Sequence, residues 1–197
     1  MIPTNSIDFH NVDPKLATAA DALKEGKIVL MQTQTVWSLI CLLDDPHSFK
    51  RLLSFKRVDC PFNYECLVDS IELFKKYVPY LSPRLETLLS FHARPLGVLL
   101  PASNLPAHVS SCTDKIPFRL DNSLGIKSII PQVGQGLWST SAFLENDTPG
   151  NQFEMIHHQA KLLAGEIIFI ENAHNFSGED AVIVELDEGD NLVFLRD

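Results

Sequence analysis

Apolar positions along the chain follow two alternating rhythms, one near 3.6 residues and one of short continuous runs. Leu16, Ala19, Ala20 and Leu23 form a one-sided stripe, predicting a helix that opens at Asp13-Pro14 and stops at Gly26. A capping residue followed by proline at the first helical position recurs at Asp45-Pro46 and Ser82-Pro83, marking two more helix starts. A strand is expected at 27–31, a polar turn at 32–34 and a second extended run at 37–43. Phe49, Leu52, Leu53 and Lys56 then lie on a helix that ends in Lys56-Arg57.

The pattern continues with a strand at 64–68, a helix at 71–77 capped by Ser70, and a helix at 85–91. Buried strands are expected at 95–101 and 116–121. A weak helical pattern at 123–133 is broken by Gly125 and Pro131. A strand at 137–141, a helix at 153–163, a strand at 166–171 and a hairpin of 181–186 with 191–196 complete the chain. Interleaved helices and strands predict an α/β fold, a twisted sheet flanked by helices, which the closing hairpin makes mixed. No repeat or linker divides the sequence, so residues 1–197 are expected to form a single domain; 146–150 is the most loop-like internal stretch.

Composition narrows the function classes. Hydrophobic residues make up 45% and charged residues 21%, a globular balance. No apolar run approaches the roughly 20 residues of a membrane span, and the first residues carry neither basic nor apolar signal features. A cytoplasmic protein without membrane contact is therefore expected. Cys41, Cys60, Cys66 and Cys112 include no CxxC and read as free, mostly buried thiols. His157 and His158 diverge by roughly 100° on a helix, so no metal site is expected. A net charge of −9 opposes broad nucleic-acid binding, which draws on Lys and Arg, yet leaves room for a small basic pocket.

Walker A, GxGxxG, GxSxG and HExxH motifs are absent. What remains is an ordered series of segments. Gln32-Thr33-Gln34-Thr35-Val36-Trp37-Ser38-Leu39 is similar to the Pro-Thr-(Asp/Glu)-Thr-Val-Tyr-Gly-Leu of the YrdC family, and Phe55-Lys56 to its (Ile/Leu)-Lys-x-Arg-Pro. Arg94 to Pro101 resembles the family's Gly-Pro-x-Thr strand, and Pro117-Phe118-Arg119-Leu120-Asp121 its Val-Arg-x-Pro-Asp. Trp138-Ser139-Thr140-Ser141-Ala142 matches its Ser-Thr-Ser-Ala-Asn up to the last residue. The resemblance spans roughly 16–186 and implies a YrdC-like α/β domain.

The family condenses threonine, bicarbonate and ATP into threonylcarbamoyl-adenylate, releasing pyrophosphate, for tRNA threonylcarbamoyladenosine formation. That chemistry gathers anions, so cationic and hydroxyl side chains must face one cavity. The resemblance implies Lys56, Arg57 and Ser141 as catalytic residues and Thr33, Thr35, Arg119 and Ser139 as binding residues. Val58 stands where the family has arginine, with Arg57 one place earlier as the candidate replacement. Phe143 replaces the asparagine, Gly97 a threonine, and Ala181-Val182 a Ser-Thr pair. Each lost donor to a developing anion costs about 3–4 kcal/mol. Phe143 and Trp37 are expected to fill space that ligand occupies in an active relative.

Plainer readings stand beside these. Lys56-Arg57 opposes a helix dipole, Thr33 and Thr35 serve a turn, and Ser139 and Ser141 share one strand face. Arg119 in an apolar strand needs a bound anion or a carboxylate such as Asp121. Three functions stay open: a non-catalytic or weakly active paralogue binding nucleotide or RNA in tRNA modification or translation, an active synthase, and a protein-interaction subunit. The expected partners are ATP or AMP, threonine, and tRNA or double-stranded RNA. No cofactor is held tightly, with magnesium accompanying ATP if the site is active.

Overall fold

A computed structural model describes residues 13–56, 63–111, 113–144, 147, 152–169, 177–189 and 191–196. Its elements in chain order are α1 (Pro14–Lys24), β1 (Val29–Gln32), β2 (Trp37–Leu42), α2 (Pro46–Phe55), β3 (Glu65–Val68), α3 (Ile71–Tyr77), α4 (Pro83–Phe91) and β4 (Leu96–Pro101). They continue with α5 (Ala107–Ser110), β5 (Lys115–Leu120), α6 (Leu124–Val133), β6 (Leu137–Ser141), a 3-10 turn (Phe153–Met155), α7 (His158–Leu163), β7 (Glu166–Ile168), β8 (Val182–Leu186) and β9 (Leu192–Arg196).

The strands form one nine-stranded twisted sheet in the order β7-β1-β2-β6-β3-β5-β4-β8-β9. Three pairs are parallel, β1 with β7, β3 with β5 and β4 with β8, and the rest are antiparallel, so the sheet is mixed as the hairpin implied. Trp138, Cys66 and Phe118 lie side by side in register on one face. There α2 brings Phe49 to 4.8 Å from the Trp138 ring, and α3 brings Phe74 to 5.5 Å from Phe118. Helices α1 and α6 pack on each other. Among the described residues no helix is long and apolar enough to cross a membrane.

The caps form as the sequence indicated. Asp13, Asp45, Ser70 and Ser82 each accept a hydrogen bond from a first-turn N–H of the helix they precede. Gly26 adopts φ +73°, and its N–H and that of Lys27 bond back to Leu23 and Ala22. This spends the Lys27 amide on α1, which is why β1 begins at Val29 rather than at 27. Cys41 and Cys66 are free and buried in the core, and burial pushes both thiols well up; Cys60 and Cys112 lie outside the described residues.

Three expectations need correction. The pattern at 123–133 is one continuous helix, because Ser123 caps it, Pro131 falls on its exposed side in the last turn, and Gly134 closes it at φ +73°. The helix expected at 153–163 is two pieces. Ile156 and His157 take ψ near 134° and 136°, and His157 Nδ1 accepts from the Gln159 N–H, starting α7 afresh. The four-residue α5 was not anticipated, being too short for a periodic signal.

The α2 cap carries a pH prediction. Partial burial pushes the Asp45 carboxyl up, but hydrogen bonds from Ser48 and His47 outweigh it and hold its pKa below the ordinary value near 3.8. A depressed folded pKa gives stability that is complete above the unfolded value and lost as pH falls through the folded one. Asp45→Ala should therefore cost about 1 kcal/mol in chemical denaturation at neutral pH. The gap between variant and wild type should hold down to about pH 4 and close below it; a gap that widens on acidification would refute the cap's role.

Candidate functional site

The turn between β1 and β2 carries Thr33 and Thr35, both buried, with their hydroxyls 3.0 Å apart. The Thr33 amide donates to the Val36 carbonyl, and the Thr33 hydroxyl lies 3.4 Å from that of Ser38. Across the sheet Ser38 pairs with Ser141 of β6, and Ser139 pairs with Glu65 of β3. Polar side chains from three neighbouring strands therefore collect on one face, at the end where the β1–β2 turn folds over.

Arg119 organises the floor beneath them. It is fully buried; Nε and Nη2 donate to the two Glu65 carboxylate oxygens at 2.9 and 2.6 Å, and Nη1 donates to Asp121 Oδ2 at 2.5 Å. Its Nη2 also lies 3.5 and 3.4 Å from the Thr33 and Thr35 hydroxyls. Burial disfavours the guanidinium charge, but Glu65 and Asp121 outweigh it and hold Arg119 above the ordinary arginine range. Asp121 also accepts from the Gln34 and Ser123 amides, at 3.1 and 2.8 Å. The ion pair with Asp121 is thus present, and Glu65, 54 residues upstream, is the partner that sequence reasoning missed.

Above this floor lies a cavity of about 300 Å³. Of the candidate residues, Lys56, Thr35 and Ser141 line it, whereas Arg119, Thr33 and Ser139 do not. Lys56 follows the last residue of α2, and its Nζ donates to the Phe143 carbonyl. Ser141 Oγ accepts from the Phe143 amide at 3.3 Å. The Ser139 hydroxyl is fully buried with no protein partner among the described residues. Arg57 and Val58 lie outside the described residues.

Phe143, where the resemblance places an asparagine, is 2% exposed and forms part of the cavity wall. Trp37 does not fill the cavity as expected. Its ring packs edge-on against Phe153 and Phe169, at 5.4 and 5.3 Å, inside the core. Four charged lining residues were not singled out from sequence: Glu65, Asp147, Asp180 and Arg196. Arg196 ends β9, and its Nε donates to the Ala181 carbonyl at 2.9 Å, which brings the last strand to the cavity. Only the pairing of β8 with β4 and of β9 with β8 reveals that proximity.

The arrangement can hold an anion at Lys56 and Arg196 and orient it with the Thr35, Ser38, Thr140 and Ser141 hydroxyls. Three carboxylates share the same wall, one of them paired to Arg119. Among the described residues no group of three or more His, Cys, Asp or Glu side chains is placed to bind a metal ion.

Comparison with known proteins bears on the family and the fold. Residues 21–197 match the Sua5/YciO/YrdC family model, whose description reads "Telomere recombination". A threonylcarbamoyl-AMP synthase of Haemophilus influenzae (strain Rd) is 28% identical over 134 residues, 66% of this chain and 73% of that protein. One from Pseudoalteromonas translucida is 27% identical over 133 residues, covering 66% and 71%. Among solved structures, E. coli YciO superposes with a TM-score of 0.76 at 14% identity, over 95% of this chain and 91% of that one. P. abyssi Sua5 complexed with L-threonine gives 0.72 at 19% identity over 94% of this chain, which spans only 55% of the Sua5 chain. At these identities the structural likeness speaks for the fold, while the sequence match extends over most of the chain: the protein belongs to the Sua5/YciO/YrdC family.

Proposed function

We propose that this protein is a nucleotide-binding member of its family that takes ATP or AMP in the cavity beside Lys56, serves tRNA modification, and forms threonylcarbamoyl-adenylate weakly or not at all. One observation carries this reading: Lys56 and Ser141, from separate elements, converge on one cavity, which Phe143 also lines at the position where the resembling pattern has an amide side chain. The cation and hydroxyls favour a bound phosphate. Adenylation also needs donors matched to the charge that develops as pyrophosphate leaves, and each missing one lowers the rate about 10²–10³-fold.

Arg196 favours a second reading, an active synthase, because it lines the cavity and adds cationic charge that Val58 does not supply. Such an enzyme would also take threonine, the ligand named for the P. abyssi Sua5 structure. The two readings separate in paired experiments. Calorimetric titration with ATP and AMP is expected to give saturable binding. Pyrophosphate release with ATP, threonine and bicarbonate is expected at least about 10³-fold below that of the H. influenzae synthase assayed alongside. Comparable rates would establish the second reading, and absence of binding by folded protein would reject the first.

A further inference from the structure

The charge of the cavity wall is unlike that of a site made for a polyphosphate. Lys56 and Arg196 face it, but so do Asp147 and Asp180, while Glu65 is already paired with Arg119. The chain holds these two aspartates differently. Asp147 Oδ2 accepts from the Leu144 amide at 2.7 Å, next to the Phe143 carbonyl that takes the Lys56 ammonium. Asp180 sits in a segment fastened on both sides. The Gly178 amide donates to the Thr35 carbonyl at 2.8 Å, and Arg196 Nε donates to the Ala181 carbonyl at 2.9 Å.

We propose that Asp147 and Asp180 make this cavity selective for a nucleoside monophosphate over a nucleoside triphosphate; the inference rests on the nucleotide-binding reading above. A single phosphate can lie against Lys56 and Arg196, where attraction from two cations exceeds repulsion from two carboxylates it does not touch. Each further phosphoryl group adds negative charge without adding a cation on the wall. It also brings that charge towards Asp147, whose carboxylate is held by the Leu144 amide, and towards Asp180, whose backbone segment is tied to Thr35 and Arg196. The volume acts in the same direction, since about 300 Å³ lies at the small end of ligand pockets. Asp180 is exposed and Asp147 half-buried, so salt screens part of the repulsion and the selectivity should weaken as ionic strength rises.

The test is calorimetric titration of AMP and of ATP, in chelator and again with magnesium, into wild type and an Asp147→Asn/Asp180→Ser variant. Asparagine keeps an oxygen for the Leu144 amide, and circular dichroism verifies that the variant is folded. In chelator, wild type is expected to bind AMP at least as tightly as ATP. The variant should bind ATP about tenfold more tightly than wild type does, with AMP changed less than about threefold and the gain reduced at high salt. An ATP/AMP affinity ratio that favours ATP in wild type and stays the same in the variant overturns this inference alone. So does magnesium-dependent ATP binding that the variant abolishes, because the carboxylates would then be holding the cation. Failure of both nucleotides to bind either protein overturns the nucleotide reading and this inference with it.

Discussion

Arg119→Met is expected to lower the unfolding free energy by about 3–5 kcal/mol in urea denaturation, the largest effect of any single substitution considered. The guanidinium is 0% exposed and joins Glu65 and Asp121, whose side chains are 16% and 0% exposed. Removing one member of a buried ionic cluster leaves the others without compensation, and the two carboxylates differ in how well they recover. Glu65 borders the cavity and can rehydrate, whereas Asp121 is sealed in, so most of the loss should trace to Asp121. Adding Asp121→Asn to the variant should accordingly restore about 1–2 kcal/mol. A loss under about 1 kcal/mol for the single variant would mean that water reaches the cluster and that Arg119 does not organise the floor.

Lys56→Met is expected to weaken AMP and ATP binding about 10–100-fold, the range for one charge-assisted hydrogen bond to phosphate. Two readings of Lys56 compete here. A lysine that merely offsets a helix dipole would bond the carbonyls of its own helix, and its removal would cost a few tenths of a kcal/mol in stability with binding unchanged. The Lys56 ammonium instead reaches across to the Phe143 carbonyl beside the cavity. Stability should fall by no more than about 1 kcal/mol while affinity collapses. Titration and denaturation of the same variant separate the two, and unchanged affinity would remove Lys56 from the site.

Much of the architecture was legible because local signals and global fold agree. Asp13, Asp45 and Ser82 ahead of prolines placed three helix starts, and Ser70 placed a fourth. The departures have physical causes. Pro131 costs α6 the bond its N–H would have made to the Lys127 carbonyl. It lies on the exposed side close to the helix end, so the loss falls on a single bond and the helix runs on to its cap at Gly134. The break at Ile156-His157 comes from a histidine side chain acting as a cap, which residue type alone does not announce.

The candidate site divides in the same way. Lys56, Thr35 and Ser141 belong to motifs whose order along the chain survives, and they meet in one cavity. Arg119 was legible as a buried charge in need of a partner, but not as one paired with Glu65, because that contact depends on β3 and β5 lying side by side. Asp147, Asp180 and Arg196 lie on a loop and at strand ends with no motif of their own, and only the folded chain carries them to the cavity. Their charges change the chemistry most, and they were the least visible in the sequence.

The most direct measurement is pyrophosphate release with protein in excess over ATP, at saturating threonine and bicarbonate, in a sample already titrated to demonstrate ATP binding. The expected result is ATP that stays bound and intact over a time in which an equal concentration of the H. influenzae synthase consumes it all. Stoichiometric pyrophosphate within that time would mean that the remaining cations and hydroxyls suffice for adenylation, contrary to the function proposed.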